Sequence, residues 1–403
     1  MSLLPVADAL HRVLEHATPL DIERLALMQC HGRVLAEDLR ALRSQPPADV
    51  SAMDGYAVRV TDVQYVPTDL RVVGEVAAGR PFSGAIKTGE AVRIFTGGEM
   101  PTGGDAIVIQ ENTTRTGRMV IVTALPQAGR HIRIKGLDFN QGDLLLERGR
   151  MLSGRDLGLA ASMNHPLLPV HRKARVAILA TGDELVAPGK EPWPGQIVYS
   201  NGYPVMTLAR QEQADVDDLG IVPDRVEETV AAIRKARDAN ADVLVTLGGA
   251  SVGDYDLVQK ALAAERIELS FWKIAMRPGR PMMHGRLGKM HVLGLPGNPV
   301  SAYVCAFLFL LPLLRKLAGR ADTVPTPEHA LLGSDLPEND ERADYLRARM
   351  SRTVRGALVA TPSPVQDSSL TRVLAEADCL ILREPFAAKT TAGSPCVILK
   401  LPF

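Results

Sequence analysis

Ala241-Asp242-Val243-Leu244-Val245-Thr246-Leu247-Gly248-Gly249-Ala250-Ser251-Val252-Gly253-Asp254-Tyr255-Asp256 passes from an apolar run into a loop rich in glycine and acid. The run is β-branched and leucine-rich, the pattern of a parallel strand buried on both faces. Two adjacent glycines let the backbone turn tightly and come close to a ligand. The polar groups that follow stand at the C-terminal end of a strand, where open α/β sheets place their sites. Arg175-Val176-Ala177-Ile178-Leu179-Ala180 runs in the same way into Thr181-Gly182-Asp183-Glu184. Two acidic loops on one edge of one sheet point to a phosphorylated ligand held with a divalent metal.

Working outward, residues 173 to 320 alternate strand and helix. Strands are expected at 175–180, Asp215–Val222, 242–247 and 291–295, and helices at 202–212, 225–239, 256–264 and 300–318, a doubly wound α/β unit. Val300 to Leu314 is too short to span a bilayer and reads as a buried helix. On the N-terminal side, residues 2 to 40 read as two helices, the second opening at Ile22, Leu25 and Leu27. From about Val50 to Gln141 short β runs alternate with Gly and Pro turns, an all-β module. A helix returns at Ser153–Met163, expected beside the N-terminal helices, which makes the β module an insertion. The last eighty residues carry strand-like runs at 345–350, 357–360, 379–382 and 395–399, a second small β domain.

The chain has 403 residues, with 46 basic and 46 acidic side chains. That balance gives no electrostatic case for bulk nucleic acid or an anionic membrane. Cys30, Cys305, Cys379 and Cys396 form no CxxC pair, so a reduced compartment is expected and neither a zinc knuckle nor a disulfide scaffold is supported. Met1–Pro5 shows no basic region followed by an apolar core, so no secretory signal is expected. A cytoplasmic protein follows.

Several clusters could carry chemistry. Asp183 and Glu184 are hard oxygen donors suited to magnesium and also to capping a following helix. Asp254 and Asp256 bear the same two readings. Lys273, Arg277 and Arg280 fall within eight positions of Phe271 to Pro281, around a Pro-Gly turn; they gather an oxyanion or form a solvated charged surface. Leu295-Pro296-Gly297-Asn298-Pro299-Val300-Ser301-Ala302 is a strand–turn–helix junction whose free N–H groups suit a phosphate. Asp54, in Ser51-Ala52-Met53-Asp54-Gly55-Tyr56-Ala57, reads as an Asp-Gly turn. The nine histidines are scattered and no Ser-His-acid arrangement is visible.

Taken together with Ile94-Phe95-Thr96-Gly97 and Thr181 to Leu185, these motifs resemble the molybdopterin molybdenumtransferase family, the bacterial MoeA proteins related to the gephyrin E domain. The resemblance covers essentially the whole chain. It implies insertion of molybdate into adenylylated molybdopterin with release of AMP, and a need for Mg2+. It implies a multidomain α/β plus all-β fold: a discontinuous helical linker and dimerisation domain (1–46 and 142–172), an inserted β domain (47–141), a molybdopterin-binding α/β domain (173–322) and a C-terminal β barrel (323–403). It implies a homodimer whose cleft lies between the α/β domain of one subunit and the second domain of its partner. A molybdopterin adenylyltransferase and recipient molybdoenzymes or their chaperones are the implied partners.

Carried over by resemblance, Asp183, Glu184, Asp224 and Asp256 hold magnesium against the phosphoanhydride. Asp54 and Asp138 complete the acidic set, with Thr96 beside them and Asp54 and Thr96 reaching in from the partner subunit. Lys273 and Arg277 position molybdate. Gly249, Ser251, Gly297, Asn298 and Ser301 cradle the pterin-phosphate end, in loops shared with Thr181, Gly182, Gly248, Gly253 and Pro296. Ser368 and Ser369 bring hydroxyls from the last domain. The chain departs from the family pattern where Arg225 follows Asp224, where Arg277 replaces a common lysine, and where Asp367 and Ser369 replace glycines. The alternatives are a non-catalytic molybdopterin-binding or scaffold protein and a nucleotide pyrophosphatase of related fold.

Overall fold

Val243–Leu247 forms a strand buried at every residue, paired in parallel with Arg175–Thr181 on one side and Met290–Leu295 on the other. The computed structural model describes residues 3–248 and 257–402. Around this strand runs a six-stranded sheet in the order Asp215–Val222, Arg175–Thr181, Val243–Leu247, Met290–Leu295, Met283–Leu287, Glu268–Trp272. The first four strands are parallel and the last two antiparallel. The sequence reading missed that antiparallel pair. Glu268–Trp272 is mostly exposed and shifts register between Leu269 and Phe271, so no continuous apolar run announces it.

The two-residue period of a strand divides the core. Val176, Ile178 and Ala180 pack with Val205, Leu208 and the long helical run 299–317, while Ala177 and Leu179 pack with Ile233, Ala236 and Leu262 on the opposite face. Each fully buried Val, Leu or Ile stabilises by roughly 1.5–3 kcal/mol. Pro299–Leu317 is long and apolar enough to cross a bilayer, yet 83% of its apolar window is buried inside the protein, as expected of a core helix. Its middle, Ala306–Leu310, is a π turn. Pro312 has no N–H for the Leu308 carbonyl and its ring crowds that turn, a strain that a widened turn relieves.

His284 and His291 lie side by side in the antiparallel edge, with ring nitrogens 3.3 Å apart and rings stacked. Burial lowers their pKa to about 3 and about 4 respectively, with Arg286 and His16 adding repulsion and Asp242 opposing it at His291. The unfolded chain takes up both protons near pH 6.5, and the folded chain only below about 4. Their contribution is complete above pH 6.5 and is lost as pH falls, by about 1.4 kcal/mol per pH unit for each imidazole. Urea midpoints at pH 7.5 and pH 5 should therefore differ sharply, and His291→Gln should flatten the dependence. Equal slopes in both proteins would remove this role.

The N-terminal region departs from the two-helix expectation. Val6–Leu14 is helical, but its buried Ala9 and Val13 join the core of the α/β unit. Ile22–Ala26 is a strand, paired antiparallel with Leu167–His171, and Leu27–Gln29 is a single 3-10 turn. Apolar residues at 22 and 25 fit a helical period and those at 25 and 27 a strand's, and a partner strand about 145 residues away decides between them. Gly154–Ser162 is helical as expected, with Ser153 and Asp156 forming a capping box. It packs against the 27–29 turn instead of the first helix. Cys30, Leu35 and Leu39 share one core with Leu146, Leu152, Ala160, Leu168 and Val170, so this region is discontinuous in sequence.

Between the two halves stands a six-stranded β module, in the order 106–109, 55–58, 90–94, 68–76, 119–122, 113–116. Tyr56 and Val58 enter the core on one face and Ala57 enters that on the other. At the C-terminal end Ala343–Arg352, Leu358–Pro362, Glu328–Leu332, Pro395–Lys400 and Cys379–Arg383 pair in turn, and the last pairs again with the first. That ring closes a barrel and leaves no free edge among its strands.

Candidate functional site

Four parallel strands deliver their C-terminal ends to one cleft of about 790 Å³. Thr181 and Glu184 come from the first strand's loop, Asp224 from the loop after Val222, Gly248 from the central strand and Pro296, Gly297 and Asn298 from the fourth. The other wall is the turn Met276 to Pro281, and the barrel adds Arg342, Gln366, Asp367 and Ser368. The loops meet because glycine lets them. A Cβ at Gly248 would lie 2.8 Å from the Thr181 carbonyl oxygen, and one at Gly297 would lie 3.6 Å from the Gly248 Cα.

Hydrogen bonds lock this floor to the barrel. The Asn201 amide donates to the Gly297 carbonyl at 3.0 Å. The Asn298 amide donates to the Ser368 hydroxyl at 2.8 Å, and the Val300 N–H to the Ser368 carbonyl at 3.1 Å. The N–H groups of Gly297 and Asn298 find no acceptor among the described residues. They stand at the start of the 299–317 helix, where backbone geometry favours an anion.

Charge divides the cleft. Glu184 and Asp224 stand at the sheet edge, and Arg277, Arg280 and Arg342 lie opposite in the lining. Arg277 is committed: its guanidinium forks onto both Asp344 oxygens, the Nε bond being 2.7 Å, and reaches Asp340 at 3.3 Å and Asn339 at 3.2 Å. Its strand Met276–Arg277 also pairs with Ala343–Asp344 of the barrel. A lysine would supply a point charge and no fork, so the Arg277 departure suits this seam. Arg342 holds Asp340 down to about 2. Arg280 is exposed and its side chain has no carboxylate partner among the described residues. Behind the 366–368 loop, Arg347 is buried, its pKa pushed down to about 10 by burial, and it donates to the carbonyls of Tyr345 and Asp367.

The comparisons with known proteins meet this geometry along the whole chain. Residues 4–164 match the MoeA N-terminal region (domain I and II), 177–316 the probable molybdopterin binding domain, and 329–401 the MoeA C-terminal region (domain IV). The chain belongs to the MoeA family. It is 35% identical to a molybdopterin molybdenumtransferase of Haemophilus influenzae over 98% of each chain. It is 39% identical to one of Nostoc sp. over 75% of this chain and 70% of that one. The crystal structure of a molybdopterin biosynthesis MoeA protein from Pyrococcus horikosii matches with a TM-score of 0.87 at 28% identity, over 100% of both chains.

Against the MoeA expectation, the structure brings Thr181, Glu184, Asp224, Gly248, Arg277, Pro296, Gly297, Asn298, Ser301 and Ser368 into the one cleft. Gly182 stands beside Glu184, whose carboxylate would lie 2.6 Å from a Cβ at 182. Asp183 accepts the Asp224 N–H at 3.2 Å and does not line the cleft. Gly249, Ser251, Gly253 and Asp256 lie outside the described residues. Lys273 is not in the lining: its ammonium sits 5.7 Å from the Trp272 ring centroid. Of the three expected cations, Arg277 and Arg280 line the cleft, where Arg342 joins them. Ser369 donates to Asp367 at 2.6 Å, which lowers the Asp367 pKa.

Asp54, Thr96 and Asp138 do not line this cleft. Asp54 accepts from the Thr96 N–H at 2.7 Å and the Thr96 hydroxyl at 2.8 Å, and these bonds hold its carboxyl below the usual range. The Asp-Gly turn thus carries an oriented carboxylate. Asp138 lines a second cleft of about 800 Å³ with Gly97, Glu99 and Arg133. Two polar lining residues went unread in the sequence, Asn201 and Arg342. Asn201 looks like a helix cap, and Arg342 sits among ordinary surface charges; only their long-range neighbours reveal them.

Proposed function

We propose that this chain inserts molybdate into adenylylated molybdopterin and releases AMP, the reaction of a molybdopterin molybdenumtransferase. The observation that carries the reading is a single cleft joining an acidic sheet edge, two bare N–H groups and an arginine rim. The Gly297 and Asn298 N–H groups hold a phosphate oxygen of the substrate. Arg280 draws in the molybdate dianion and, with Arg342, which also pairs with Asp340, stabilises charge on the leaving phosphate. Ser368, fixed by Asn298, orients the barrel side.

Magnesium fits a limited donor set. Glu184 and Asp224 offer hard oxygens, while no group of three or more His, Cys, Asp or Glu among the described residues is close enough to enclose a metal. Magnesium commonly takes one or two carboxylates plus substrate phosphates, and these two suit that role. When bound it neutralises charge on the phosphoanhydride.

The reading extends to a cytoplasmic homodimer with the four-domain division at 46/47, 141/142, 172/173 and 322/323. The oriented Asp54–Thr96 pair, standing apart from its own chain's cleft, supports delivery to a partner's. Exposed Met28, Leu42, Met151 and Leu167 supply apolar surface for dimerisation. A molybdopterin adenylyltransferase would supply the substrate, and molybdoenzymes or their chaperones would take the product.

The test is AMP release from adenylylated molybdopterin and magnesium, with and without molybdate, followed by reconstitution of an apo-molybdoenzyme. Molybdate-dependent release with reconstitution is expected. Tight pterin binding without either signal would favour a carrier or scaffold.

A further inference from the structure

Asn201 occupies the cap position of helix Gly202–Gln211, yet its side chain makes no capping bond. It is 6% exposed and lines the cleft. Its amide nitrogen must be the group on Gly297, because a carbonyl oxygen only accepts. That leaves the Asn201 Oδ1 turned elsewhere, buried and without a partner among the described residues. The Thr181 Oγ1, on a residue 5% exposed, is orphaned in the same way. The two belong to one surface: Asn201 touches Gly297, Gly297 abuts Gly248, and Gly248 abuts Thr181.

Buried polar groups left unpaired are costly and in native proteins almost always find a partner. Both residues line the cleft, so a ligand seated there can supply the partner that their buried oxygens lack. An amide oxygen accepts and cannot donate, which excludes a phosphate oxygen at this point. Its complement is a hydrogen-bond donor, such as an amino N–H. The Gly297 carbonyl, tied to Asn201, points its oxygen away from the direction of the Asn298 N–H, since the two are antiparallel across a trans peptide. Asn201 thereby separates a donor-seeking floor from the anion-seeking turn beside it.

Resting on the function proposed above, we propose that Asn201, with Thr181, reads the amino-bearing edge of the substrate's nitrogen heterocycle at the floor of the cleft. Pterin and adenine both present such an edge, with an acceptor beside the amino group for the Thr181 hydroxyl.

The test measures binding of molybdopterin and of AMP to wild type and Asn201→Ala, with thermal melts as a folding control. Asn201→Ala is expected to weaken one of them about tenfold to a hundredfold. Loss confined to molybdopterin assigns the pterin edge, and loss confined to AMP assigns adenine. A ligand-side comparison in wild type stands even if the variant fails to fold: pterin should outcompete lumazine, whose 2-amino group is a carbonyl, or AMP should outcompete IMP, by at least about tenfold. Affinities of the variant within twofold for both ligands, or equal binding across both analogue pairs, would overturn the assignment. Wild type that binds neither molybdopterin nor AMP would instead overturn the functional reading beneath it.

Discussion

Gly248→Ala is expected to lower kcat/KM for AMP release on the order of a hundredfold to a thousandfold. Gly248 has φ +92°, a region where a side chain costs about 1–3 kcal/mol of strain. The added Cβ would also stand 2.8 Å from the Thr181 carbonyl oxygen. That oxygen is backbone at the end of a central strand and cannot swing aside like a flexible side chain. The loop must then move away from Thr181, pulling the Gly248 N–H from the Leu295 carbonyl that it reaches at 3.2 Å. A shift of about 1 Å at a site of this kind costs roughly a hundredfold. The melt should fall by a few degrees, since the core strands remain paired. AMP release within a few-fold of wild type would show that the close approach has no part in catalysis.

Glu184→Gln should reduce turnover by about two to three orders of magnitude with little change in stability. The substitution keeps the shape and removes one of the two carboxylates at the sheet edge of the cleft, where Asp224 is the other. Removing a single group that acts on transition-state charge typically costs about 3–4 kcal/mol. Glu184 makes no ion pair among the described residues, so folding loses little. Manganese binding followed by electron paramagnetic resonance gives a readout independent of turnover, and it should weaken at least about tenfold in the presence of AMP. Full turnover with unchanged metal affinity would take Glu184 out of the metal set and leave Asp224 as the remaining described carboxylate there.

The α/β unit was legible because three of its parallel strands, Arg175–Thr181, Val243–Leu247 and Met290–Leu295, are buried almost throughout, while Asp215–Val222 is a more exposed edge strand. Asp215–Val222 appears with the expected bounds, and 243–247 and 290–295 differ by one residue at an end. The N-terminal region was not legible in the same way. Ile22 to Leu27 is short, half apolar and compatible with two periods, and its fate depends on pairing with Leu167–His171. The barrel's Glu328–Leu332 was missed for a similar reason: its neighbours are Leu358–Pro362 and Pro395–Lys400, each distant in the chain.

The candidate site divides along the same line. Thr181, Gly248 and the 295–302 junction were readable because backbone chemistry at strand ends and helix starts is local. Arg277 was readable as a cation and misread as a free one. Its charge is engaged by Asp344 and Asp340, 67 and 63 residues later, a fact that no local pattern carries. Lys273, four positions away, was grouped with Arg277 by spacing and by resemblance, and its ammonium sits over the Trp272 ring.

By itself the sequence determined the fold class, the family and the strand-end loops, because hydrophobic period and glycine placement act over a few residues. Only the tertiary structure decided which charges face the cleft, which carboxylates are already satisfied and which polar atoms remain bare. Those outcomes depend on who meets whom across the fold. The orphaned oxygen of Asn201 is the clearest case: its chemistry is set by Gly297, 96 residues further along the chain.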